Sequence, residues 1–293
     1  MTKLNKLLTI TLLIITFIHS NIYGQEKSFK IIIQSERYNP KFYNDDKYWQ
    51  YQFLGQWNID RDNKGIIDYN LIRRKITQLY PNKYDRGFLS IDLENKLYRN
   101  LKTPVYTKEA FEAGEQFIAM VNFIRNQRPN LKIGIYGLPF VFMEYKYHSL
   151  VNNYEVLKPI LEKVDYISPS LYLNHNFNDK SKEYTKKYIE GVLQYSLELG
   201  RELSKPVYPY IWYLLDPSNN KVTGGEILSF EQMDFYLSTI KKYRYKKQGV
   251  SGVIWWESSD NGRMKIIRNN PENKILQREN EIDKFLYEFT KGL

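Results

Sequence analysis

The chain has 293 residues, a formal net charge of +10, 26 tyrosines, five tryptophans and no cysteine. Without cysteine there are no disulfides and no thiolate metal sites, so the fold must rest on core packing. The basic balance suits a polyanionic partner, although a lysine- and asparagine-rich composition gives the same charge without any binding role; no concentrated basic block marks a nucleic-acid arm.

Residues 1–24 carry Lys3 and Lys6, then an apolar run from Leu7 to Ile18, then small or polar residues before Gln25. That is the layout of a secretory signal peptide. The run is short for a bilayer span and no second one follows, so no integral membrane segment is expected. The protein is expected to be secreted or periplasmic, without the cysteine a lipid anchor would need. Residues 25–293 show no Pro/Gly/Ser linker, repeat or low-complexity tract, and are expected to form one domain.

Short β-branched or aromatic runs predict strands at Phe29–Ile33, Tyr51–Trp57, Gly87–Asp92, Lys132–Tyr136, Val164–Ser168, Pro206–Trp212 and Gly252–Trp256. Amphipathic segments lie between them. In Lys108–Asn126 the residues Phe111, Phe117, Val121 and Ile124 recur at helical spacing behind a candidate N-cap, Thr107. In Glu183–Leu199 the residues Ile189, Val192, Leu193 and Leu197 fall on or near one face, and Gly200 stands where a C-cap belongs. The stretch Pro271–Leu293 reads as a charged scaffold helix with Ile275, Ile282, Phe285, Leu286 and Phe289 turned inward. Strand–helix alternation over this length predicts an α/β fold, a TIM-like (β/α) barrel of about seven parallel strands. An open doubly wound sheet is the alternative, but no Gly-rich phosphate loop follows the first strand.

In a parallel barrel, reactive groups gather at the carboxyl ends of the strands. The third strand runs into Asp92-Leu93-Glu94, where strand alternation sends Asp92 and Glu94 to the same side. Two carboxyls so close do not both ionise easily, so one is expected to hold a proton near neutrality and serve as a general acid. A lone Asp-x-Glu is usually a solvated turn; the apolar residues before this one place it at a strand end. Trp255 points opposite to Trp256 and reads as core, and Glu257 shares its parity, so it is expected to bond a neighbouring loop. His148 and His175 are isolated, no two-His ligand spacing occurs, and neither a metal nor any other cofactor is expected. Asp85 precedes its strand and belongs to the opposite rim.

The stretch Phe88-Leu89-Ser90-Ile91-Asp92-Leu93-Glu94 resembles the catalytic strand of the hyaluronidase family of glycoside hydrolases. The similarity continues in order. Ile133-Gly134-Ile135-Tyr136-Gly137-Leu138-Pro139 is similar to the family's Tyr-Gly-Phe-Pro strand, and Ser168-Pro169-Ser170-Leu171-Tyr172-Leu173 to its Pro-Ser-Ile/Val-Tyr motif. Val207-Tyr208-Pro209-Tyr210-Ile211-Trp212-Tyr213 is similar to its Leu-Pro-Tyr strand, and the stretch from Gly252 to Asp260 to its closing Gly-x-x-x-Trp-x-Ser segment.

The resemblance implies an endo-acting, retaining hydrolase of N-acetylhexosaminidic bonds in a glycosaminoglycan, hyaluronan or chondroitin, in which the substrate's own acetamido oxygen attacks. It implies Glu94 as acid/base, Asp92 as the group that orients the acetamido nitrogen and raises the pKa of Glu94, and Tyr172 as a hydrogen-bond partner of the acetamido group. It places Tyr136, Trp256, Tyr210, Asp216 and Tyr51 in the substrate pocket, with an acidic polysaccharide as partner and a monomeric protein. Leu93 replaces the family's aromatic between the acids, and Asn95-Lys96-Leu97-Tyr98 offers no arginine equivalent, which loosens substrate identity more than chemistry. Chitinase-like enzymes also end a strand with Asp-x-Glu but carry two further aspartates where this chain has Ser90 and Gly87. A muramidase, or a polysaccharide-binding barrel without turnover, remains an alternative. Tyr172 can also be read as packing at the barrel rim.

Overall fold

The computed structural model describes residues 29–34, 46–142, 145–174, 177, 181–216, 225–257 and 286–291. The predicted leader 1–24, His175, Ser258 to Asp260 and the predicted helical residues 271–285 lie outside the described residues.

Among the described residues six strands form one parallel sheet: β1 (Lys30–Gln34), β2 (Tyr48–Gly55), β3 (Gly87–Asp92), β4 (Leu131–Ile135), β5 (Tyr210–Ile211) and β6 (Gly252–Trp255). Their order is β4-β3-β2-β1-β6-β5. The helices are α1 (Tyr69–Leu79), α2 (Lys96–Leu101), α3 (Lys108–Gln127), α4 (Tyr154–Lys163), α5 (Lys182–Glu202) and α6 (Phe230–Lys242). This is the single-domain parallel barrel architecture that the alternation predicts.

The segment expected as the fifth strand, Val164–Ser168, joins the two edges of the sheet by separate bridges instead of a ladder. Asp165 N–H donates to Ile133 O at 2.7 Å on the β4 side, while Tyr208 N–H donates to Ile167 O at 2.9 Å and Tyr210 N–H to Pro169 O at 2.9 Å on the β5 side. The reason is chemical: Pro169, Pro206 and Pro209 have no N–H to give, so a continuous ladder cannot form around them. Their carbonyls still accept, as in Ile167 N–H to Pro206 O at 3.0 Å and Ile254 N–H to Pro209 O at 2.9 Å.

Strand alternation produces two cores. Ile31, Ile33, Leu54, Leu89, Ile91, Ile133 and Val253 face the helices and belong to one large aliphatic cluster. Ile32, Tyr51, Tyr166, Tyr208, Tyr210 and Ile254 pack together as a second cluster, on the barrel side of the wall. Each fully buried isoleucine or leucine of the first cluster contributes about 1.5–3 kcal/mol by leaving water. Gly134 is needed in the second: a Cβ there would lie 2.1 Å from the Tyr166 ring, whose hydroxyl donates to Leu89 O at 3.0 Å.

The helix signals are mostly realised. Thr107 caps α3 by accepting from Ala110 N–H at 3.1 Å, and Ser229 with Gln232 forms a capping box on α6. Two expectations are corrected. Phe111 is 47% exposed in the first turn of α3 instead of facing the core. Gly200 lies inside α5, not at its end, because its missing side chain lets the chain at Lys205 and Val207 pass close by: a Cβ would meet Val207 Cγ2 at 2.7 Å and Lys205 O at 2.9 Å. Residues 286–290 are helical with Leu286 and Phe289 buried, as expected of the C-terminal segment. Among the described residues no helix is long and apolar enough to cross a membrane.

Candidate active site

The carboxyl end of β3 is held from both sides. Ile91 and Leu93 are buried against the helices, at 0% and 1% exposure, which leaves Ser90 and Asp92 on the barrel side. The Ser90 hydroxyl shares a hydrogen bond with the Tyr210 hydroxyl. Beyond the strand, Asn95 caps α2 by accepting from Leu97 N–H at 2.9 Å and Tyr98 N–H at 3.3 Å, while its own amide donates to Asp60 at 2.8 Å. Glu94 therefore sits in a short link between a buried strand and a capped helix. Its main-chain carbonyl accepts from Arg99 at 3.2 Å.

The two acids differ in depth. Asp92 is half-buried, and its Oδ1 is shielded from solvent without a hydrogen-bond partner among the described residues. Burial, and then the charge of Glu94, push its pKa up to about 8. Glu94 is exposed at the mouth, yet the walls around it remove part of its hydration; this loss first, and the charge of Asp216 second, raise its pKa. The sequence assigns the neutral carboxyl to Glu94 with Asp92 as the perturbing charge. In the structure burial raises the pKa of both carboxyls, that of Asp92 to about 8, and the charge acting on Glu94 is that of Asp216.

Asp216 reaches the cluster from the loop after β5, where its N–H donates to Leu173 O at 2.7 Å. The Tyr136 hydroxyl donates to Ser170 Oγ at 3.3 Å, and its ring lies 5.9 Å from the Tyr172 ring and edge-on to Tyr210 at 4.9 Å. Burial and the charge of Glu94 raise the Tyr136 pKa. Tyr172 packs on Trp212 at 5.8 Å, and Trp256, half-buried, on Phe53 at 5.2 Å. Asp92, Glu94, Asp216, Tyr136, Tyr172 and Trp256 thus share one end of the barrel. Tyr51 and Tyr210, predicted to touch a ligand, are 1% and 0% exposed. They belong to the buried inner cluster of the barrel, below the strand ends.

Tyr98 is a residue the sequence reading passed over. Its ring packs edge-on to Phe140 at 4.9 Å, and its hydroxyl lies where a Cβ on Gly137 would be, 2.1 Å from that position. Gly137 has φ of 73° and so is free to make this turn. Burial, then Tyr136, Glu94 and Asp92, raise the Tyr98 pKa, which places the phenol beside the acid pair. The available signal was the four-residue spacing from Glu94 across an Asn-capped helix start.

Outside the mouth the expected bystanders behave as scaffold. Trp255 is fully buried and stacks on Tyr213 at 6.0 Å, and Glu257 accepts from the Tyr213 hydroxyl at 2.8 Å. Asp85 accepts from Asn82 N–H at 2.8 Å before the strand begins. His148, expected in a loop, is buried in the 3-10 turn Tyr145–Leu150, stacked on Tyr195 at 4.8 Å. Among the described residues no His, Cys, Asp and Glu group has a metal-holding arrangement.

Compared with known proteins, the chain matches no family model and no curated sequence. Among solved structures it is similar to bee venom hyaluronidase in a monoclinic crystal form, with TM-score 0.57 and 14% identity over 85% of this chain and 100% of that one. It is similar also to bee venom hyaluronidase in complex with a hyaluronic acid tetramer, with TM-score 0.56 and 15% identity over 83% of this chain and 96% of that one. At such identity the likeness establishes the fold.

Proposed function

We propose that this protein is a glycoside hydrolase that cleaves N-acetylhexosaminidic bonds inside a glycosaminoglycan by a retaining, substrate-assisted route. One observation carries the reading: an accessible carboxyl of raised pKa, Glu94, stands above a shielded carboxyl that is neutral near pH 7, Asp92, in a mouth lined by Tyr136, Tyr172 and Trp256. The similarity to a barrel that is solved with a hyaluronic acid tetramer supports a polysaccharide, and the net charge of +10 suits an acidic one. The leader read from residues 1–24 makes an extracellular polymer the accessible substrate.

In this mechanism Glu94 gives its proton to the bridging oxygen as the bond from the anomeric carbon to that oxygen breaks. The acetamido carbonyl oxygen of the same sugar forms the new bond to the anomeric carbon, which leaves a cyclic oxazolinium. Asp92 accepts the acetamido N–H. Contact with that donor, and then with the growing positive charge, favours the ionised form of Asp92, so the proton it holds in the free protein becomes available to keep Glu94 protonated. Glu94, now ionised, takes a proton from water as the water oxygen attacks the anomeric carbon and the ring reopens. Two inversions give net retention. Tyr136 and Tyr172 offer hydroxyls to the acetamido group, and Trp256 gives the sugar an apolar wall.

The test is to incubate the protein with hyaluronan, chondroitin and peptidoglycan and to weigh the products. Fragments of hyaluronan or chondroitin carrying one added water each agree with the proposal. Unsaturated uronates absorbing in the ultraviolet would mean a lyase, cleavage of peptidoglycan alone a muramidase, and binding without products a lectin-like barrel.

A further inference from the structure

After β2 the chain makes a 3-10 turn, Gln56–Asn58, that leaves Trp57 71% exposed, with Ile66 66% exposed on the same loop. Tryptophan is highly buried on average, so an indole held in water calls for an explanation. The loop is firmly built. Ile59 and Ile67 are buried, and Asp68 N–H donates to Ile59 O at 2.8 Å. At its centre Asp60, 3% exposed, accepts from Lys64 N–H at 2.9 Å, Gly65 N–H at 2.8 Å and the Asn95 amide at 2.8 Å. Burial opposes ionisation there, but the Asn95 amide and the loop N–H groups outweigh it and hold the carboxyl below its usual range.

The same bonds fix the loop relative to the acids. Gly55 is the register partner of Asp92, and Asn95 directly follows Glu94. Trp57 is three residues from Asp60, inside a turn closed by Asp60 N–H to Gln56 O at 2.8 Å. Trp57, two residues beyond Gly55, therefore lies at the same carboxyl end of the sheet as Asp92 and Glu94. Phe53, on the same strand, meets Trp256, which sets the Trp256 wall of the mouth beside β2. Lys96 packs beside Gly65, its Cβ 3.4 Å from a Cβ built there, and is exposed, which adds a positive charge next to this loop.

We propose that Trp57 is an outer stacking subsite of this cleft, which takes the flat C–H face of a pyranose ring of an acidic polysaccharide away from the bond being cleaved, with Asp60 and Asn95 as its positioning residues. The inference rests on the glycosidase reading. A single flat ring, carried on a firmly bonded loop at the carboxyl end of the sheet and beside a cation, matches one sugar unit of a passing chain. The subsite serves long chains and leaves short ones that fill only the central pocket.

The experiment compares wild type, W57A and W57F on long hyaluronan or chondroitin and on a tetrasaccharide of the same polymer. W57A raises KM for the polymer about ten-fold, the scale of a partly buried indole face, with most of the loss in KM and not kcat. W57F recovers most of it, the tetrasaccharide shifts less than the polymer, and the melting temperature is unmoved because the side chain is exposed. A W57A protein with wild-type KM on the polymer, or one whose only change is in self-association, overturns the subsite while a cleaving wild type upholds the glycosidase reading. A wild type that cleaves neither polymer overturns both.

Discussion

Along β1, Ile31 and Ile33 join the aliphatic cluster under the helices while Ile32 joins the tyrosines of the barrel interior; on β3, Leu89 and Ile91 part in the same way from Phe88, Ser90 and Asp92. The outer layer is closed by apolar contacts and holds the wall in register. The inner layer is aromatic with hydroxyls that find partners, as Tyr166 does on Leu89 O and Tyr210 on Ser90. A buried hydroxyl must be paired, so the interior specifies directions as well as volumes. One position further toward the mouth that polarity is no longer fully paired, and Asp92 Oδ1 is left without a partner among the described residues. The lesson is that stability and chemistry are divided by side-chain parity along the same strands.

The sharpest way to break this division is E94Q. Loss of a general acid is worth 10²–10⁴-fold, so turnover should fall by about a thousand-fold while the melting temperature stays put, since Glu94 is exposed. Calorimetry beside the product assay checks both. On the opposite face I91A should do the reverse: a loss of about 2–5 kcal/mol in denaturant unfolding, with activity per folded molecule preserved. A smaller effect is expected from G134A. Its new methyl meets the Tyr166 ring, and overpacking of this kind costs about 1–3 kcal/mol; it should also lower activity, because Tyr166 belongs to the buried inner cluster below the strand ends.

The contrast is sharpened also through pH. The Asp92 pKa is about 8 in the fold against 3.8 when unperturbed, so unfolding releases a proton anywhere between these values and stability falls as pH rises through that window. The slope is at most about 1.4 kcal/mol per pH unit. D92N removes the titration. Its melting temperature should gain on wild type steadily from pH 4 to pH 8 and level off above; a gain that is flat with pH would show that Asp92 is ionised in the fold.

Several features were legible in the chain because they depend on near neighbours. Thr107 capping α3 and the outward facing of Trp255 and Glu257 follow from local geometry that a capping pattern or a period of two reveals. Phe111 and Gly200 were misread for the complementary reason. Whether a helix end turns toward solvent, and whether a glycine ends a helix or admits a neighbour, is decided by chains far away in sequence.

By itself the sequence determined a parallel α/β barrel, the carboxyl-end location of an acid pair, and the strands whose ends would surround it, because periodicity and strand direction are encoded residue by residue. Only the tertiary structure decided that burial raises the pKa of both Asp92 and Glu94, that Asp216 is the charge acting on Glu94, that Tyr51 and Tyr210 are fully buried, and that Tyr98 joins the mouth. The physical reason is that hydration is lost by depth, and depth is a property of everything packed around a residue and not of its position along the chain.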